Sequence, residues 1–398
     1  MELPTQSDQG GPISFDSRYH QQDDESACGG AVVRLVLDAL NKPYQPPQLF
    51  IPGANGEAAP PERLAAKLTD LAGAPYCVQP SSGGTDEDLP ALAAILSHND
   101  KPTPVLIYMN ASHWVAVTGV ASPPGNAHAV SGFFLQNPWP SQSYKPSAPH
   151  INSDSCGLGG RYGSPLEYAS LYAWKNLYWG EGSESRAVVA PELNYPHGPA
   201  LSPVDESVPP LPLTQESIAG VAWKRVAEHG LLKGPLSASL AYATTAKARP
   251  NTTYDARMGV NYYLVEFYDQ DGTVLATARI DCREGELFGA TLRRTWPGEL
   301  DTASLVKPFI AALDIHDEDL SSLMDERQGE SARWVWDPAN SASPYYPTFV
   351  KPVGSSFLLI HSGVDAELVS RDDLINRARA TPFPDRYLAN LTRGSVVL

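Results

Sequence analysis

Hydrophobic periodicity switches once, from helical to strand-like, in the first third of this chain, and that order constrains the fold more than any other feature. Apolar side chains are so dense in AVVRLVLDAL, from Ala31 to Leu40, that a buried helix is expected there. Two amphipathic helices follow. One begins at Pro61 (PERLAAKLTDLAG), with proline in its first turn, and the other at Asp86 (DEDLPALAAILSH), with acids there. Period-two, β-branched runs come next: PVLIYMN from Pro104, HWVAVTGV from His113 and GFFLQN from Gly132, the last two separated by the turn-rich SPPGNAH. Helices grouped ahead of a sheet imply an α+β layer arrangement with a small antiparallel sheet. A doubly wound parallel sheet would need the two patterns to alternate.

At 398 residues the chain is long enough for two domains. After Asn137 a Pro/Ser/Gly-rich loop leads to LEYASLYAWKNLYW, which reads as a Tyr- and Trp-rich helix ending at Gly180. From about Ala190 to Leu213 prolines are too dense for helix or central strand. The expected organisation is therefore a first domain over 13–185, a stiff linker over 186–213 and a second α+β domain over 214–398. In the second domain LTQESIAGVAWKRVAEHGLL reads as one amphipathic helix, and VNYYLVEFYDQDGTVLATARID as two strands joined by DQDG. Further strands are expected at ARWVWD and SSFLLIHSG, with helices at TASLVKPFIAALDIH and near the C-terminus. No repeat of solenoid or propeller period is present.

Composition narrows the partners. The formal charge of -16, from 45 acidic against 29 basic residues, repels phosphate backbones and anionic lipid, and no basic patch overrides it. Nucleic acid and membrane are thus not expected partners. No run of about 18 apolar residues occurs, and the opening MELPTQSDQGGPISFD lacks a basic start and an apolar signal core, which points to a cytoplasmic chain, though export without an N-terminal signal would leave the same trace. Cys28, Cys77, Cys156 and Cys282 show no CxxC spacing, so free thiols are expected rather than a structural zinc site or a disulfide framework. His150 and Cys156 lack two further ligands at suitable spacing, so no metal site is expected, and no organic cofactor is implied.

Chemistry concentrates in QQDDESACGGAVVRLVL. A thiol attacks a carbonyl as its thiolate, and the free N–H groups and dipole at a helix N-terminus stabilise that anion. Cys28 stands at that position. Gly29 and Gly30 remove side chains where a substrate backbone would approach, and Gln22, preferred over Gln21, offers an amide N–H to a developing oxyanion beside the Cys28 backbone N–H. A base is needed on a facing element, and His113 opens an apolar strand where His98, His128 and His150 do not. Asn137 ends the next strand and brings a side-chain oxygen to steady the imidazole. Trp114 and Trp139 are candidate cleft residues.

Gln22, CGGA from Cys28, HWVAVTG from His113 and NPW from Asn137 together resemble the papain-like cysteine peptidase superfamily, over about residues 13 to 180. The branch most similar is the bacterial double-glycine leader peptidases of the bacteriocin-processing type. That resemblance implies a papain-like first domain and hydrolysis of a peptide or protein substrate through a thioester. Asn137 stands where that branch usually carries Asp, although Asn serves in other papain-like enzymes. Asp23, Asp24 and Glu25 lie next to the nucleophile, where negative charge opposes thiolate formation. Two alternatives share these residues: a transamidase in which an amine replaces water, and an inactive binding scaffold. VEFYDQDGTVLATARIDCREGELFGA vaguely resembles small cystatin-like modules, so the second domain is read as a stabilising module or one that binds a protein partner or the substrate.

Overall fold

The computed structural model describes residues 28–49, 51, 58–79, 85–98, 101–108, 112–138, 166–175, 187–191, 200–202, 213–233, 235–249, 252–255, 259–292, 313, 333–336, 344–345, 347–353, 356–361 and 365–379. The first half opens with α1 (Cys28–Ala39) and α2 (Pro61–Ala72), then β1 (Tyr76–Gln79) and α3 (Thr85–His98). Strands β2 (Thr103–Tyr108), β3 (Ser112–Ala121), β4 (Ala129–Val130), β5 (Gly132–Gln136) and β6 (Glu167–Ser170) follow, with the single turn α4 (Leu171–Ala173). Two more strands, β7 (Ala187–Pro191) and β8 (Ala200–Leu201), precede α5 (Gln215–Glu228) and α6 (Ser237–Leu240). The second half continues with β9 (Thr245–Ala248), β10 (Thr253–Asp255), β11 (Val260–Tyr268), β12 (Val274–Asp281), β13 (Leu287–Leu292) and β14 (Arg333–Trp336). It ends with β15 (Thr348–Val353), β16 (Ser356–His361), β17 (Asp365–Ser370) and α7 (Arg371–Arg379).

The architecture is mixed, with one large sheet and several helices. Fifteen strands form that sheet in the order β1-β7-β2-β3-β5-β6-β13-β12-β11-β10-β14-β15-β16-β17, with β9 added on β11. Pairing is antiparallel except between β10 and β14. Strand alternation sorts the core to two sides. On one side Leu106, Trp114, Ala116 and Val189 pack under α1 and α2, while Phe134, Tyr168, Val265, Phe267 and Ile280 pack with Ile218, Ala222 and Val226 of α5. On the other side Val105, Ile107, Val115, Phe133 and Leu135 meet Leu92 and Ile95 of α3. That second cluster runs on without a break through Trp174 into Tyr262, Phe288, Trp336 and Tyr345 of the second half.

Most expected elements form, and two readings are corrected. LEYASLYAWKNLYW is not a helix at its start: Glu167–Ser170 is a strand between β5 and β13, and helical backbone begins only at Leu171, capped where Ser170 Oγ accepts from the Ala173 N–H at 3.2 Å. Pairing on both edges outweighs helical propensity there. The stretch read as a linker over 186–213 begins with a strand, since AVVAP supplies β7, paired with β1 and β2 inside the sheet. Pro191 stands at its end, where a missing N–H costs no ladder bond. The β6–β13 pair makes one continuous sheet of the two halves. Most of the helix expected over 302–316 lies outside the described residues. Among the described residues, no helix is long and apolar enough to cross a membrane.

Candidate active site

Cys28 is the first residue of α1 and is fully buried. Its position at the helix N-terminus is the one where a thiolate is best stabilised by free N–H groups. Gly29 and Gly30 are buried too, and their role differs from the expected one. A Cβ on Gly30 would stand 2.4 Å from the Leu49 carbonyl oxygen, and one on Gly29 3.1 Å from Leu64 Cδ1, 3.3 Å from Ala59 Cβ and 3.5 Å from Trp114 Cδ1. These glycines admit the protein's own backbone and side chains.

His113 and Asn137 are brought together from neighbouring strands. His113, second residue of β3, is fully buried opposite Ile107 of β2, and Asn137 follows directly on β5, also buried. His113 Nε2 lies 3.0 Å from Asn137 Oδ1. An amide oxygen only accepts, so Nε2 carries the proton and Nδ1 is the ring nitrogen with the lone pair. This tautomer suits a base: the proton-accepting nitrogen is the one that Asn137 does not hold.

Trp114 is fully buried rather than lining a cleft, and its indole N–H donates to the Ala59 carbonyl at 2.8 Å. It packs with Leu106 and α1 on one side of the sheet, whereas His113, paired with Ile107, belongs by alternation to the opposite side. Cys28 and His113 each immediately precede one member of the Gly29–Trp114 contact. Cys28 packs in the same core cluster as Trp114, on that side of the sheet. Gln22, Trp139, Asp23, Asp24 and Glu25 lie outside the described residues.

The other thiols contrast with Cys28. Burial first, and then the Asp281 carboxylate, pushes the half-buried Cys282 thiol up to about 12 and makes it a poor nucleophile. Cys77 sits on the β1 edge with its sulfur accepting from Gln79 Nε2 at 3.2 Å. Among the described residues no His, Cys, Asp and Glu group is gathered for a metal ion.

Two buried polar clusters escaped sequence reasoning. The Arg279 guanidinium lies 5.5 Å from the Tyr262 ring centroid, 5.8 Å from Phe288, 5.7 Å from Trp336 and 5.6 Å from Tyr345, with Asp255 at 3.9 Å. His229, at the C-cap of α5, meets Tyr168 Oη through Nδ1 at 2.7 Å, while Ser131 Oγ donates to the His229 carbonyl at 2.9 Å. Both clusters are assembled from residues far apart in sequence, so no local spacing announces them. The second ties the end of α5 to Ser131, just ahead of β5, and to Tyr168 of β6. No protein-family model and no curated protein matches this sequence.

Proposed function

We propose that the protein is a papain-like cysteine hydrolase acting on a peptide or related amide bond. His113 Nδ1 takes the proton of Cys28, and the thiolate attacks the scissile carbonyl. The Gln22 amide and the Cys28 backbone N–H hold the resulting oxyanion. The imidazolium then gives its proton to the departing amine, and water, deprotonated by the same ring, hydrolyses the thioester. The reading is carried by the buried 3.0 Å contact between His113 Nε2 and Asn137 Oδ1, which leaves the other ring nitrogen as the base. α5 laid across β9 and β11–β13 supports a cystatin-like second half, a module that binds a partner or the substrate.

The test is turnover of a peptide library followed by mass spectrometry, using the full chain and its Cys28→Ala, His113→Ala and Asn137→Ala variants. Loss of cleavage in the first two and a fall of about a hundredfold in the third are expected, since displacing a reacting group by about 1 Å costs that much. Cleavage that survives Cys28→Ala refutes the assignment. The complete burial of Cys28 favours a second reading, a papain-like scaffold that binds without reacting. That reading predicts a Cys28→Ala protein with its partner binding intact and no library cleavage by the parent chain.

A further inference from the structure

Trp114 touches all three segments around the candidate site. It belongs to β3 directly after His113, its Cδ1 faces Gly29 directly after Cys28, and its Nε1–H is fixed to the Ala59 carbonyl just ahead of α2. Neither Trp114 nor Ala59 has exposed surface, so the bond is made without competition from water. The indole is also held from the α1 side. A Cβ at Gly29 would stand 3.1 Å from Leu64 Cδ1, 3.3 Å from Ala59 Cβ and 3.5 Å from Trp114 Cδ1, so it is the missing side chain that lets α1 approach this closely. Whatever rotates or withdraws this ring changes the separation between the first turn of α1 and the first turn of β3. Close packing transmits such a shift instead of absorbing it.

We infer that Trp114 is a positioning residue that sets how the Cys28 thiol meets His113, acting through its bond to Ala59 and its contact with Gly29. The inference rests on the thiol–imidazole reading given above. Trp114 touches no substrate in this role, which explains why the aromatic beside the histidine is buried rather than presented to a cleft.

The experiment is the pH dependence of Cys28 alkylation by iodoacetamide in the full-length folded chain, read by peptide mass spectrometry. A thiol paired with an imidazole keeps reacting well below the pH at which an isolated thiol stops. The parent chain is therefore expected to show a low-pH reactive limb that His113→Ala removes. Trp114→Phe keeps the ring and deletes the donor to Ala59, so it is expected to lower the rate at about pH 6 by roughly tenfold or more. Its rate at alkaline pH, where the thiolate forms unaided, is expected to stay near that of the parent. A merely structural role would lower the unfolding temperature without altering the shape of the profile. Gly29→Ala, whose methyl would press on Leu64 and on Ala59, the residue that holds the indole, is the second variant and is expected to lose the same limb. If both variants reproduce the parent profile, Trp114 does not position the pair and the hydrolase reading stands. If the parent profile already matches that of His113→Ala, or Cys28 does not react, both inferences fall.

Discussion

Acidification probes the contact that joins the two halves, and its size follows from the geometry at His229. The Tyr168 hydroxyl has one proton and donates it to the Ser131 carbonyl at 2.9 Å, so at 2.7 Å it must accept from His229 Nδ1–H. Protonating the ring at Nε2 keeps that bond. The cost of the proton is instead the burial of a cation and then its repulsion by Arg225, which together hold His229 at about 4 against an ordinary 6.5. The depressed value means that the unfolded chain binds the proton more readily between those two limits. The associated stability is complete above about pH 6.5 and is lost as pH falls to about 4. At about 1.4 kcal/mol per pH unit the full effect is at most about 3.5 kcal/mol, and the partial exposure of His229 reduces it. Guanidinium unfolding of the parent and of His229→Gln from pH 7.5 to 4.5 measures it, because carboxylates titrate alike in both and cancel in the difference. The stability difference between the two proteins is expected to shift by about 2–3 kcal/mol across that range, against the parent at the acid end. A difference that stays flat refutes the argument.

Gly30→Ala would push a methyl group to 2.4 Å from the Leu49 carbonyl and is expected to cost about 2 kcal/mol or more, read as a lower unfolding temperature; an unchanged temperature would show that this approach is not tight. Arg279→Met removes the cation from the fully buried Asp255 and is expected to destabilise by about 3–5 kcal/mol, whereas adding Asp255→Leu restores part of the loss. A double variant no more stable than the single one would contradict that account. A chain ending at Leu201 strips β13 from β6 and α5 from Phe134 and Tyr168, so it is expected to aggregate on size-exclusion chromatography. A well-behaved monomer of that length would mean that the first half is an independent domain.

Local pattern made much of this architecture legible. AVVRLVLDAL, PERLAAKLTDLAG and DEDLPALAAILSH form α1, α2 and α3, and HWVAVTGV and GFFLQN pair as β3 and β5, because both periodicities express which side of an element is buried. The hairpin in VNYYLVEFYDQDGTVLATARID is equally plain, with Asp269 Oδ1 accepting from the Asp271 and Thr273 N–H groups in its turn. The pairing of His113 with Asn137 was also foreseeable, since both stand at the ends of adjacent strands. EYAS and AVVAP were not readable as strands. Each is short, and each owes its state to two neighbours supplied from elsewhere in the chain.

Sequence alone determined most of the helices and strands, the thiol at a helix start and the imidazole and amide that meet each other. Those depend on side-chain type and spacing along a few turns. Only the tertiary structure decided that the sheet runs unbroken through β6 and β13, that Gly29, Gly30 and Trp114 pack against the protein's own residues, and that Arg279 and His229 meet partners distant in sequence. Those outcomes depend on which surfaces meet when the chain closes on itself, and contacts between residues tens of positions or more apart leave no periodic trace in the chain that makes them.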